Sequence, residues 1–167
     1  MKKIIIAGIA LLLVGCSGNY KPLPTVEKVD VNRYVGTWFE IARYDQFFER
    51  GCSNISATYT LAEDDKIKIL NSCIKEGKLS QANGIAYATD ATFSKLKVSF
   101  FRPFYGDYQI LMLDENYTYA VIGEPSRKYF WILSRTRFLN EDTKQMILQK
   151  MPSLGYDETQ LIWPVHE

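Results

Sequence analysis

Glu40 is a carboxylate in a stretch that has little use for one. In Gly36-Thr37-Trp38-Phe39-Glu40-Ile41-Ala42-Arg43-Tyr44 large and small side chains alternate. That is the pattern of a strand that opens at a close-packed glycine and sends alternate residues to opposite faces. Trp38, Glu40, Ala42 and Tyr44 then share one face, where burial would raise the carboxyl pKa and fit it for acid or base work. Little else could join it in catalysis. The only histidine is His166, one residue from the C-terminus, so a Ser-His-Asp or Cys-His unit would have to recruit a tail expected to be mobile. The sequence has no glycine-rich phosphate loop and no His/Cys cluster at metal-ligand spacing. A buried glutamate bonded to a tyrosine hydroxyl is the plainer account, and the chain reads as a non-enzyme without cofactor or metal.

Three cysteines carry the remaining reactive chemistry. Lys2 and Lys3 precede an apolar run from Ile4 to Val14, broken by Gly8. The run fits the ~7–15 residues of an export signal and falls short of the ~20 that span a bilayer. Leu13-Val14-Gly15-Cys16 resembles a bacterial lipobox, so residues 1–15 read as signal and Cys16 as the lipidated first residue of the mature chain. A diacylglycerol thioether plus an N-linked acyl chain such as palmitate exceeds the two membrane signals that make anchoring stable. Ser17 rather than an aspartate follows, as in such lipoproteins sorted to the outer membrane, most simply on its periplasmic face.

With Cys16 acylated in an oxidising compartment, Cys52 and Cys73 have one pairing open to them, and a disulfide is expected. Closing that loop would stabilise the fold by ~3 kcal/mol. Cys52 opens the second candidate strand and Cys73 closes the third, so a hairpin turning near Ala62–Asp65 sets them side by side. Alternation places Cys73 inward and Cys52 outward, and a bulge or loop start at Cys52 would reconcile them.

The 167 residues suit one domain that buries roughly 70% of its unfolded surface. Taking Lys2 and Lys3 from 20 basic residues leaves 18 against 19 acidic ones. A near-neutral domain points to no nucleic acid and leaves the lipid alone to hold it at a membrane. Residues 16–28, with Pro22 and Pro24, read as an extended tether, and residues 29–167 as the domain. Val29–Val35 is a short turn or helical plug.

Short strands then follow one another between turn residues, the rhythm of an all-β barrel or sandwich. They are Gly36–Tyr44, Ser53–Leu61, Lys66–Ile74, Ser80–Thr89, Leu96–Phe101, Gly106–Leu113, Tyr117–Gly123 and Tyr129–Arg135. Early strands keep one face polar, as where Lys66 and Lys68 alternate with Ile67 and Ile69. Late ones are apolar on both faces, notably Leu111-Met112-Leu113 and Phe130-Trp131-Ile132-Leu133, and need cover from outside. The cover is a helix capped by Asn140, with Met146, Ile147, Leu148 and Met151 at helical spacing and a stop at Pro152 and Gly155. Gln160–Trp163 could add a closing strand.

Gly36-x-Trp38 opening the first strand, and Arg135 ending the last, resemble the lipocalin signature, and the likeness spans essentially the whole mature chain. It implies an all-β fold: an eight-stranded antiparallel up-and-down β-barrel (lipocalin/calycin) with one C-terminal α-helix packed outside. Strands alternate in direction, so Trp38 and Arg135 share the closed end, where a guanidinium over the indole is worth ~0.5–2 kcal/mol. Gly36, Trp38 and Arg135 are thus structural, as is the Asp114-Glu115-Asn116-Tyr117 turn at the same end. By parity the lumen receives Glu40, Ala42, Tyr44, Ile55, Ala57, Tyr59, Ile67, Ile69, Tyr129, Trp131 and Leu133, with Val98, Phe100, Tyr108 and Ile110 added. Such a cup suits an acyl chain, at ~0.8 kcal/mol per buried methylene, and Arg102 near the mouth could meet a polar or anionic head group.

Phe48-Glu49-Arg50-Gly51 and the segment Val98–Gly106 strengthen the likeness to the bacterial outer-membrane lipocalins, relatives of apolipoprotein D. The resemblance implies lysophospholipid or fatty acid ligands, lipid transport or storage, envelope maintenance, and in some members a homodimer. Two features depart from it: Arg102 stands where a small residue is expected, and the Cys52/Cys73 pair is foreign to the bacterial members. Two other readings stay open. A filled barrel could dock on a membrane or partner protein through Phe47, Phe48, Phe104 and Tyr105, and a lipocalin-fold isomerase could use Glu40.

Overall fold

Eight strands follow one another around a closed barrel, each antiparallel to its neighbours, and the eighth pairs back with the first. The computed structural model describes residues 20–167. The strands are β1 (Gly36–Arg43), β2 (Cys52–Leu61), β3 (Lys66–Lys75), β4 (Lys78–Ala88), β5 (Lys95–Phe101), β6 (Phe104–Leu113), β7 (Tyr119–Gly123) and β8 (Phe130–Ser134). A short helix α1 (Val31–Tyr34) precedes them and α2 (Glu141–Leu154) follows. Lys2, Lys3, the lipobox, Cys16 and Ser17 lie outside the described residues.

Alternation decides the wall. In β3, Lys66 and Lys68 are exposed while Ile67 and Ile69 are buried, because a period of two sends charged stems to water and branched apolar side chains inward. The double-sided apolarity of the late strands has two destinations. Trp38, Ile67, Leu96, Ile110 and Ile122 fill the lower barrel. On the outer face, Ile41, Val121, Phe130 and Ile132 pack under Ile147, Met151 and Leu154 of α2.

At the closed end Arg135 lies 3.8 Å from the Trp38 ring centre. Its guanidinium donates to the carbonyls of Arg33 at 2.7 Å, Tyr34 at 3.0 Å, Val35 at 3.0 Å, Thr37 at 3.0 Å and Tyr117 at 3.2 Å. The Trp38 indole N–H donates to the Tyr34 carbonyl at 2.8 Å, so α1 is stitched over the floor. Gly36 is required beneath: its φ is +99° and a Cβ would come within 3.2 Å of Arg135 Nη1. Asp114 holds the neighbouring turn, accepting from the backbone N–H groups of Asn116, Thr118 and Tyr119.

Several boundaries differ from the sequence reading. Helix α2 passes through Pro152 to Leu154, since a proline in the last turn forfeits one donor, and Gly155 in the left-handed region ends it with the Tyr156 N–H on the Met151 carbonyl. Residues from Leu23 onward lie on the barrel: Leu23 and Val29 are buried, and Val26 and Val29 donate to the carbonyls of Ile110 and Thr92. The expected closing strand at Gln160–Trp163 shrinks to one bridge between Arg43 and Ile162.

The tail beyond that bridge is docked. The β1–β2 ladder ends at Phe39 opposite Ser56. Above it β1 bulges between Glu40 and Ala42, and β2 between Ser53 and Ser56. The C-terminal residues fill that gap: Asn54 N–H donates to the Val165 carbonyl at 2.9 Å and His166 Nε2 to the Glu40 carbonyl at 2.6 Å. The β2 bulge also reconciles the two cysteine parities, and Cys52 and Cys73 are bonded, with Cα atoms 5.5 Å apart.

Replacing Arg135 by Met removes a donor from five carbonyls, leaving that of Tyr34 its Trp38 partner, and removes the cation above Trp38. Arg135→Met should lower unfolding free energy by about 2–4 kcal/mol, measured by urea denaturation. A loss below about 0.5 kcal/mol would mean the clasp is incidental.

Candidate functional site

A cavity of about 720 Å³ occupies the barrel above the Trp38 floor. A filled barrel is therefore not what the chain builds. Of the residues expected in the lumen, Glu40, Ile55, Ala57, Tyr59, Ile69, Val98, Phe100, Tyr108, Tyr129, Trp131 and Leu133 line this cavity. Ile67 and Ile110 are buried in the packed floor below it.

Ala42 and Tyr44 are not in the lumen. Glu40 faces Leu133 of β8, but after the bulge Ala42 faces Ile132, and the extra residue inverts the parity of everything beyond it. Ala42 and Tyr44 turn outward into the core under α2. There the Tyr44 hydroxyl donates to the Asp157 carbonyl at 3.0 Å and accepts from the Asp157 N–H at 2.6 Å. Arg102 is exposed in the turn between β5 and β6, at the mouth but outside the cavity lining, which takes in Lys75.

The same inversion buries Arg43 beside Glu40, a residue that alternation had assigned to the outer face. Arg43 Nη1 lies 3.2 Å from Glu40 Oε1, and its Nε 3.4 Å from Glu49 Oε2. Nη2 donates to the Glu49 carbonyl at 3.1 Å, and the Trp131 indole N–H to Glu49 Oε2 at 3.4 Å. Glu40 thus finds an arginine rather than the tyrosine hydroxyl expected for it. The signal available in the sequence was the carboxylate itself: a buried acid needs a cation, and Arg43 is three residues away.

Two carboxylates share one guanidinium here. Burial, reinforced by the charge of Glu49 and opposed by Arg43, pushes the Glu40 carboxyl well above its ordinary range. Burial also raises Glu49, against the pull of Arg43 and the Trp131 hydrogen bond. Both carboxylates line the cavity and Arg43 does not, so the wall shows the ligand its acidic side.

Below them the hydroxyls of Tyr34 and Tyr108 lie 2.6 Å apart, and those of Tyr59 and Tyr108 3.2 Å apart. Burial raises all three phenols, Tyr59 to about 12, so the bottom of the cavity is a chain of neutral hydroxyls. Tyr129 and Trp131 stack with ring centres 5.9 Å apart on the upper wall. Cys52, Cys73, Phe48 and Tyr105 also line it, as do the polar side chains of Asn71, Gln81, Asp107 and Glu124.

A carboxyl whose pKa is higher folded than unfolded adds stability below its unfolded value, about 4.3, and loses that contribution as pH rises through the folded value. Glu40→Gln keeps the shape and the acceptor for Arg43 but cannot ionise. It should therefore lose less stability than the parent chain as pH rises from about 5 to about 8. Urea denaturation at the two pH values measures it, and identical pH profiles would refute the assignment.

Residues 29–166 match the lipocalin-like domain family. The outer membrane lipoprotein Blc of Escherichia coli (strain K12) is 42% identical over 159 residues, 92% of this chain and 90% of that protein. Apolipoprotein D of Macaca fascicularis is 35% identical over 144 residues, 80% of this chain and 75% of that protein. Among solved structures, insecticyanin from the tobacco hornworm Manduca sexta superposes with a TM-score of 0.73 at 19% identity, over 90% of this chain and 87% of that one, a likeness of fold. The outer membrane is the location this chain shares with its close bacterial relatives. A family match of this extent, on a barrel clasped by Trp38 and Arg135, makes the chain a member of the lipocalin-like family.

Proposed function

We propose that the barrel carries one single-chain amphiphile, a lysophospholipid or a fatty acid, for lipid transport or storage in maintaining the envelope. In this reading acylated Cys16 anchors it to the periplasmic face of the outer membrane. The cavity is the observation that carries the proposal. Its volume of about 720 Å³ falls within the range of small-molecule sites. Ile55, Ala57, Ile69, Val98 and Leu133 offer an acyl chain an apolar wall, at ~0.8 kcal/mol per buried methylene. Polar groups stand at two levels, the tyrosine hydroxyls at the bottom and Glu40, Glu49 and Lys75 above, to meet a head group or a terminal oxygen.

Binding rather than catalysis fits the polar groups. His166 bonds to the backbone of β1 and lies edge-on to Phe39, with ring centres 6.1 Å apart. Glu40 is held by Arg43 instead of being poised over a reacting atom.

Ala57 places a methyl group on the cavity wall, so an indole there would occupy the ligand's volume. The chain from Cys16 to Glu167 with Cys16→Ser, stripped of lipid, should titrate a lysophospholipid or a fatty acid saturably at one per barrel, read by Trp131 fluorescence. Ala57→Trp should weaken uptake at least about tenfold with the far-UV spectrum unchanged. A flat response to both ligands in the folded parent chain would sink the carrier reading.

A further inference from the structure

Three apolar points stand around the mouth of the cavity. Phe47 and Phe48 meet edge to face at 5.3 Å in the loop after β1. Phe101 and Phe104 stack at 6.3 Å across the turn between β5 and β6. Leu79 lies at the start of β4, opposite Ile74 of β3. Phe47, Phe101, Phe104 and Leu79 are 76%, 74%, 71% and 65% exposed. An isolated exposed phenylalanine needs no explanation, but phenylalanine pairs on two loops and a leucine beside a third turn, all around one opening, do.

Charge on the rim complements the aromatics. Lys75 and Lys78 flank the β3–β4 turn, Arg102 sits between Phe101 and Phe104, and Lys128 lies in the loop before β8. Among the described residues none of these four enters an ion pair. Of the nearby acids, Asp45 pairs with Arg50 at 2.6 Å and Glu124 accepts from Ser126 and from the Lys128 N–H, while Glu76, exposed in the β3–β4 turn, offsets one of the four cations. Aromatic rings at head-group depth with free cations beside them suit a surface of anionic phospholipid.

Chain length supplies a second argument. Leu23 is fixed in the core under α2, and Cys16 precedes it by seven residues. At ~3.3–3.6 Å per residue the anchor lies within about 25 Å of Leu23, less than the ~33 Å length of a ten-residue strand. A barrel tethered so closely needs only weak rim contacts to stay seated.

We propose that the rim is a membrane-docking surface, seating the open end of the barrel on a bilayer that contains anionic phospholipid. Ligand then passes between bilayer and cavity without crossing open water, a consequence that rests on the carrier reading. Because the barrel closes within residues 20–167, the chain from Cys16 with Cys16→Ser can be tested without its anchor. It should sediment with vesicles of phosphatidylethanolamine and phosphatidylglycerol, and less with vesicles of phosphatidylcholine alone. The double variant Phe101→Ser, Phe104→Ser should reduce sedimentation about tenfold, and Phe47→Ser, on a different loop, should reduce it too, both keeping the solution titration of lysophospholipid. The docking proposal is overturned if the parent chain ignores anionic vesicles, including where it captures a protein instead, or if both rim variants sediment like the parent. Sedimentation that depends on the rim, in a chain that titrates no ligand, would support docking while ending the carrier reading.

Discussion

Everything in this barrel depends on closing it, and closure depends on one guanidinium. The first and last strands must pair for the sheet to lose its edges. Arg135, just past the end of β8, covers Trp38 near the start of β1 and collects carbonyls from α1, β1 and the β6–β7 turn. That converts one end of the barrel into a floor. With the floor fixed, β1 and β2 diverge at the other end, alongside the cavity that Glu40 and Ile55 help to line. The C-terminal tail repairs the outside of the gap, with Asn54 and the Glu40 carbonyl as its points of attachment.

The bulge in β1 couples architecture to chemistry. One extra residue at Ile41 leaves Glu40 in the lumen, brings Arg43 in beside it and sends Ala42 and Tyr44 to the core under α2. The buried acid thereby acquires a partner, and the core under α2 acquires the aromatic contacts of Tyr44 with Phe130 of β8 and with Tyr156, both at 5.7 Å. An unbulged strand would leave a carboxylate unpaired in the lumen and an arginine under the helix, each at a cost of several kcal/mol.

The strands and α2 were legible because their signals are local: the Lys/Ile alternation of β3, the Asn140 cap and the run Met146 to Met151 each state a period and a face. Trp38 and Arg135 were legible through the family signature. Most of the lumen followed from parity alone, including Ala57, Tyr59 and Trp131. Parity failed at Ala42, Tyr44 and Arg43 because a bulge carries no residue type of its own here; it exists to satisfy a tertiary pairing between strands almost a hundred residues apart. Glu49 and Lys75 were missed for a related reason. They belong to a loop and a strand end, whose directions are set by packing rather than by alternation.

If the cavity takes an acyl chain lengthwise, a homologous series of saturated fatty acids measured by calorimetry will show it directly. Binding free energy should improve by ~0.8 kcal/mol per methylene and then level off once the chain reaches the Tyr59 and Tyr108 hydroxyls. Affinity independent of chain length would contradict it, placing the ligand outside the barrel.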